Sequence, residues 1–561
     1  MVGRRAAFPE YVDWLTELRQ QGGFNFVTQP RDFPMNSTFT NHPKARTYAE
    51  IAESVLNSPR VKEAILHQAR KTGQSIKKVR CDAEATLEVM AHNWGLQSTR
   101  VFGYSVAKVL ERIFDAIYVN SGQVKRIREL CKSDPVDRLY WAILSEYVET
   151  HIVHSDRPVE FFVEATRSRV GKSLHPKYGL LQIVLEPYLR GKKVVPVTMN
   201  YDKLLEEMLY SYELLGFPKP KESTSDSQFL LTGDQRKQIK KFAHVVVGNL
   251  DQNAVITLWS LACVTMAQCL SNGDSTVFTY VHVYSEVVKL LRLLEALDVT
   301  VNIAVSINED LRYYLNLHSE LFEPVDMTAT NFHLKLVDFP VEKEGNVARK
   351  LMERSVSRLI LATYSNTMMH SICDVGCIAA IILGRNAENI STMEEHYRAL
   401  RKILEREFIY VPGNESISLQ NGVQRLQRAG IINVFANNVR VLQREQLATL
   451  WDLISPYILN FALVIEALLA LDLPSYSIKD VLLSSQKYIA DLYARATRAR
   501  IRLSFLSTEP IKNAGLMLIS QKVLLPKDGG YTLDRSAALK LLNDLTALTT
   551  SEYAPVENAK I

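Results

Sequence analysis

Arg167, Ser168 and Arg169 place two guanidinium forks on either side of a hydroxyl. Each fork presents paired, planar N–H donors that match a phosphate in bidentate fashion, so the triplet predicts an anion site. Glu164 stands just before it, at the end of an apolar run from Val159 to Val163, and Lys172 and Lys177 follow shortly after. Those two lysines read either as helpers of a bound phosphate or as ordinary solvated side chains. Gly171-Lys172-Ser173 has the look of the end of a nucleotide-cradling loop. That loop needs a glycine where Thr166 stands, so the reading is excluded.

An anion loop needs a scaffold. Val159 to Val163 is short, aromatic and β-branched, as a buried strand is, and Leu180 to Leu189 has helical character. A second apolar run, Val194 to Met199, completes the order strand, loop, helix, strand. This predicts a right-handed βαβ unit whose loop lies at the carboxyl ends of the strands, where open α/β sheets bind ligands.

These residues carry a family resemblance. FVEATRSRV resembles the third motif of the glycerol-phosphate acyltransferase superfamily, and Val194-Val195-Pro196-Val197 its fourth, an apolar strand holding a proline. The flanks DRLYWAILSEYV and NYDKLLEEMLYSYELLGFPKPKEST are similar to the dihydroxyacetone-phosphate acyltransferase branch, with the strongest match from Asp137 to Thr224. Ala165 stands where the family has glycine. The resemblance implies acyl transfer from acyl-CoA to dihydroxyacetone phosphate in ether-lipid synthesis, with acyl-CoA as co-substrate and no cofactor or metal. It assigns Glu164, Arg167, Ser168 and Arg169 to the substrate phosphate and Pro196 to shaping the next strand. Implied partners are alkylglycerone-phosphate synthase and a peripheral, lumenal place on the peroxisomal membrane.

The resemblance also exposes an absence. The superfamily uses a His-x-x-x-x-Asp pair, in which histidine takes the proton of the substrate hydroxyl and aspartate orients the ring. In the family, text like VKRIRELCKSDPV runs into the strand that carries this pair, and text like DRLYWAILSEYV comes only after a second βα unit. Here Val136 is joined directly to Asp137, so two βα units of about thirty residues each are missing. Two matches to the pattern exist elsewhere, His151 with Asp156 and His333 with Asp338, and both are read as chance. No catalytic residue is therefore predicted. The expected fold is a truncated, mostly parallel α/β acyltransferase domain over 136–225, between helical regions at 1–135 and 226–561, with helix predominant overall. Its function is that of an acyltransferase homologue made inactive by the missing motif. The alternative is a non-catalytic interaction protein or isoform of the ether-lipid complex.

Composition fits an ordinary globular chain. The 561 residues are 47% hydrophobic and 23% charged, with a net charge of +5, too small for a nucleic-acid scaffold. Six cysteines, at 81, 131, 263, 269, 373 and 377, show no Cys-x-x-Cys or metal spacing, which predicts free buried thiols in a reducing compartment. The amino terminus has no apolar core of signal-peptide length. Gln252 to Gly273 is uncharged but dotted with polar residues, so a buried helix is expected there rather than a membrane span. Leu453 to Leu471, interrupted by Glu466, leaves peripheral membrane association open.

Helices are predicted from Ser58, capped by its hydroxyl and ended by Gly73, and over Ala83 to Trp94 and Thr99 to Val119. In the last third a helix ending in Ala-Gly, followed by two short apolar runs, occurs twice, at Ala429-Gly430 and Ala514-Gly515. The expected turns are Asn437-Asn438 and Asp528-Gly529-Gly530. Both units resemble winged helices, with protein or intramolecular packing expected over DNA binding. The carboxyl end, Ala559-Lys560-Ile561, resembles the Ser-Lys-Leu address and predicts capture by the peroxisomal import receptor.

Overall fold

The computed structural model describes residues 48–94, 138–154, 161–189, 198–217, 233–270 and 277–549, apart from 165, 199, 205, 327–328, 342–345, 388, 472, 496–499 and 528. The chain divides into two compact units that interleave along the sequence. The first takes 1–165, 177–195 and 223–240, and the second takes 166–176, 196–222 and 241–561. Both expected domain boundaries, at 135/136 and 225/226, fall outside the described residues, as do Asp156, Ala165, Pro196, the Thr99–Val119 helix and the carboxyl-terminal tripeptide.

In the first unit, helices α1 (Tyr48–Asn57), α2 (Pro59–Thr72), α3 (Ile76–Trp94), α4 (Arg138–His154) and α5 (Tyr178–Leu189) pack together. Helix α2 forms as its sequence dictates. Ser58 caps it by accepting from the Val61 amide at 3.3 Å, Pro59 occupies the first turn, and Gly73 ends it at φ +66°. Its face of Val61, Ala64, Ile65 and Ala69 is buried with Leu87, Met90, Ile143 and Val148 of the neighbouring helices.

The second unit is helical around a large apolar core. It holds α6 (Glu207–Leu214), α8 (Leu258–Cys269), α9 (Tyr280–Ala296), α10 (Ile307–Leu317), α11 (Arg349–Asn366), α12 (Met369–Arg385), α13 (Ile390–Leu404), α14 (Glu415–Arg428), α15 (Arg444–Leu471), α16 (Ile478–Arg495), α17 (Thr508–Ser520) and α18 (Arg535–Thr549). Helix α7 (Gly233–Gln252) belongs to it from Lys241 onward. Helices α12 and α15 pack closely because Gly376 has no side chain: a Cβ there would meet the Leu450 carbonyl at 3.3 Å. Four two-stranded pairings decorate the helices: β1 (Ile256–Thr257) with β3 (Val301–Asn302) in parallel, and three antiparallel. These are β2 (Val277–Thr279) with β4 (His333–Lys335), β5 (Ile432–Phe435) with β6 (Asn438–Val441), and β7 (Leu524–Lys527) with β8 (Gly530–Leu533).

The prediction of a predominantly helical chain holds; of the βαβ unit, residues 159, 160, 194–197 and 199 lie outside the described residues. Among the described residues its helix forms, as α5, while Phe161 and Phe162 are irregular, Val163 and Glu164 make a turn, and Thr198 and Asn200 are irregular. An apolar run becomes a strand only where a neighbouring strand takes up its backbone groups, and among the described residues neither run has one. Instead the Val163 carbonyl accepts from the Lys177 amide at 2.8 Å, and Phe162 is left 64% exposed.

The repeated helix–hairpin units are present with shifted details. The first turn is Ala436-Asn437, both at positive φ, one residue ahead of the expected pair, which places Asn438 in β6. In the second unit α17 runs through Ala514-Gly515 to Ser520, because Gly515 serves close packing on Val481 and not a helix end. Gly530 begins β8 instead of closing the turn. The Gln252–Gly273 stretch does hold a buried helix, α8, which is too short to span a bilayer. Among the described residues one helix, α15, is long and apolar enough to cross a membrane, and 72% of its apolar window is buried in the protein. The described cysteines are free; Cys263, Cys373 and Cys377 are buried as expected, Cys269 is half-buried, and Cys81 is exposed.

Candidate functional site

The Arg-Ser-Arg stretch, with the residues up to Pro176, belongs to the second unit, where it lies against α6 and α11. Helix α6 presents Glu206 at its start, then Tyr210 and Glu213, at the spacing that lines up one helical face. Arg167 pairs with Glu206, and Tyr210 and Glu206 hold its guanidinium above the ordinary arginine range. Arg169 donates from Nε to Glu213 Oε2 at 3.1 Å and from one terminal nitrogen to the Arg167 carbonyl at 2.7 Å and Thr166 Oγ1 at 3.1 Å. Its guanidinium also lies 5.4 Å above the Tyr210 ring. Ser168 Oγ is buried without a hydrogen-bond partner. Each fork predicted to hold phosphate is thus already facing a carboxylate of its own chain.

The chain after the triplet is drawn inward. Gly171 adopts φ +70°, and a Cβ there would stand 2.1 Å from the Thr363 carbonyl oxygen of α11, so only glycine lets the backbone approach so closely. Asn366 Nδ2 donates to the Val170 carbonyl at 2.6 Å, and Thr363 Oγ1 to that of Arg169 at 3.4 Å. Lys172 is neither solvated nor open to a phosphate. It is buried in an ion pair with Glu407, between the rings of Phe408 and Tyr457. Ser173 donates to Asp251. A cavity of about 110 Å³ adjoins this pair, lined by Leu359, Leu453 and Phe505 and by the polar side chains of Asn460 and Arg502.

The remaining predicted residues fall on other elements. Glu164 is a half-buried turn residue of the first unit. His151 is near the end of α4, its ring 4.6 Å from that of Tyr147, with Nε2 buried and unpartnered; burial pushes its pKa below the ordinary histidine value. His333 sits on the exposed side of β4, and Asp338 faces the Arg358 guanidinium at 3.5 Å. The residues that sequence reasoning missed are Glu206, Tyr210, Glu213 and Glu407. The first three had a legible signal, an acidic and aromatic stripe in LLEEMLYSYELL; Glu407 had none.

A second polar cluster joins the same segment to the helical body. Asp202 Oδ1 accepts from the Tyr314 hydroxyl at 3.1 Å, and the Leu204 amide donates to the Tyr364 hydroxyl at 2.9 Å. Lys203 donates to the Leu317 carbonyl at 3.0 Å and pairs with Glu320. These bonds fix residues 202–204 on α10 and α11.

Residues 228–527 match the family described as glycerol-3-phosphate acyltransferase C-terminal region. Dihydroxyacetone phosphate acyltransferase of Bos taurus is 24% identical over 553 residues, covering 79% of this chain and 80% of that protein. The Homo sapiens protein of the same name is also 24% identical, covering 80% of each. A probable mitochondrial glycerol-3-phosphate acyltransferase of Caenorhabditis elegans is 44% identical over 91 residues, 16% of this chain and 12% of that one. With more than half of its length matching, this chain belongs to the glycerol-3-phosphate acyltransferase family, shares its likeness with the dihydroxyacetone phosphate acyltransferases, and is by membership an acyltransferase of glycerolipid synthesis.

Proposed function

We propose that this chain is a dihydroxyacetone-phosphate acyltransferase homologue that keeps the family's helical body but does not itself move an acyl group from acyl-CoA to dihydroxyacetone phosphate. The observation that carries this reading is the direct join of Val136 to Asp137, which omits the βα unit expected to bear the His-x-x-x-x-Asp pair. Loss of a positioned general base alone lowers a rate by about 10² to 10⁴. The pairing of Arg167 with Glu206 and of Arg169 with Glu213 supports the same reading, because a substrate phosphate must displace a carboxylate from each fork. His151 and His333 supply no substitute. One is half-buried on a helix of the first unit, and the other faces outward from strand β4 with its sequence partner Asp338 turned to Arg358.

The role left to such a chain is that of an interaction partner in ether-lipid synthesis, with alkylglycerone-phosphate synthase, at the lumenal face of the peroxisomal membrane. Ala559-Lys560-Ile561 supports that address, since its small, basic and aliphatic residues resemble Ser-Lys-Leu. Extending the chain beyond Ile561 is expected to leave a tagged copy in the cytosol. Activity is decided by incubating the purified full chain with labelled acyl-CoA and dihydroxyacetone phosphate. Product formation at the background rate is expected; robust turnover that disappears in His151→Ala would refute the reading.

A further inference from the structure

His318, Glu207 and Glu320 converge in the second unit, and one nitrogen and two carboxylate oxygens lie within 4.8 Å of one another. His318 is fully buried and Glu207 is 4% exposed, while Glu320 opens to the surface. The His318 ring is held flat against Trp259, with centroids 4.3 Å apart and planes 7° from parallel. Its Nε2 lies 3.0 Å from the Asp202 carbonyl oxygen. A carbonyl can only accept, so Nε2 carries the hydrogen, and in the neutral ring Nδ1 carries a lone pair.

That lone pair faces another acceptor. Nδ1 is 3.7 Å from Glu207 Oε2, which already accepts from the Tyr364 hydroxyl. Neither Nδ1 nor Glu207 Oε1 has a hydrogen-bond partner, though both are buried. Glu320, paired with Lys203, brings a second carboxylate to the same point. Three acceptors aimed at one point repel each other unless something positive stands between them.

We propose that this point is a divalent-metal site with His318 Nδ1, Glu207 and Glu320 as ligands, and that it takes Zn²⁺. A buried imidazole favours zinc over magnesium or calcium, and three protein ligands leave one position for water. Bonds of about 2.0 Å in a tetrahedron place ligand atoms roughly 3.3 Å apart, close to the 3.7 Å between Nδ1 and Glu207 Oε2. The surroundings match a supporting shell: the Asp202 carbonyl fixes the tautomer, and Tyr364 and Lys203 anchor the two carboxylates. The metal staples Glu207, at the start of α6, to the end of α10. This assignment does not rest on the proposed loss of acyl transfer.

The test uses the full chain, stripped with a chelator and titrated with Co²⁺ as a spectroscopic probe and with Zn²⁺. One Co²⁺ per chain is expected, with visible ligand-field bands and without a thiolate charge-transfer band, together with quenching of Trp259 fluorescence. Zn²⁺ should displace it and raise the melting temperature. Glu320→Gln, a change at the open edge of the site, should weaken Co²⁺ binding by about 100-fold while leaving the circular dichroism unchanged. Trp259→Phe should bind Co²⁺ and lose the quenching. Failure to take up either metal, a thiolate band, or equal binding by Glu320→Gln would each overturn the site. So would a doubly protonated His318 in the nitrogen NMR spectrum of metal-treated protein, which would place a simple imidazolium–carboxylate pair there.

Discussion

The Lys172 ammonium and the Glu407 carboxylate, 235 positions apart in the chain, meet as an ion pair with side chains only 7% and 1% exposed. Asn513 Nδ2 donates to the other Glu407 oxygen at 2.9 Å, so the carboxylate is satisfied on both sides. Removing one partner strands a charge in a medium that solvates it poorly. Lys172→Met is expected to destabilise the protein by about 3–5 kcal/mol, whereas Lys172→Met with Glu407→Leu should recover most of that loss. Urea midpoints of the full chain followed by circular dichroism provide the comparison. A double variant as unstable as the single one would show that geometry, not charge, sets the cost.

The close approach of Gly171 to Thr363 makes a second prediction. Gly171 and Gly413 share a left-handed backbone, but nothing lies within 4 Å of a Cβ added at Gly413. Gly413→Ala should cost about 1–2 kcal/mol, the conformational penalty alone. Gly171→Ala must in addition displace the Thr363 carbonyl or the loop, and its cost should be clearly larger. Thermal unfolding of the two variants separates the contributions; equal shifts would mean the loop moves aside freely.

If Glu206 occupies the fork that a phosphate needs, removing its charge should open that fork. Glu206→Gln is expected to strengthen binding of dihydroxyacetone phosphate, and Arg167→Ala to weaken it. One charge-assisted hydrogen bond, about 1.5–3 kcal/mol, corresponds to roughly a tenfold change or more in affinity. Calorimetric titration of both variants and the parent measures this. Identical isotherms for all three would remove Arg167 from any phosphate site.

His151 predicts a pH dependence. Its folded-state pKa lies below the unfolded value because burial opposes the charged ring. The unfolded state therefore binds the proton first, so the stabilising contribution is present above an unfolded pKa of about 6.5 and is lost as pH falls from there toward the folded pKa. His151→Phe preserves an aromatic ring against Tyr147 and removes the titration. The drop in melting temperature between pH 7.5 and 5.5 should be smaller in the variant; an equal drop would assign the sensitivity to other groups.

The sequence by itself determined what local chemistry controls. Helix α2 was legible down to its cap and its terminating glycine because Ser58, Pro59 and Gly73 act within a turn of their own positions. The hairpin after α14 was legible for the same reason, to within one residue of its turn. Family membership was legible in the Arg-Ser-Arg segment and its flanks. Only the tertiary structure decided that Phe161 to Val163 do not form a strand, because strand formation depends on a partner strand elsewhere in the chain that their own composition cannot reveal. It alone decided, too, that Lys172 is buried against Glu407 and that His318 faces Glu207, since charges and ring nitrogens distant in sequence become neighbours only when helices pack.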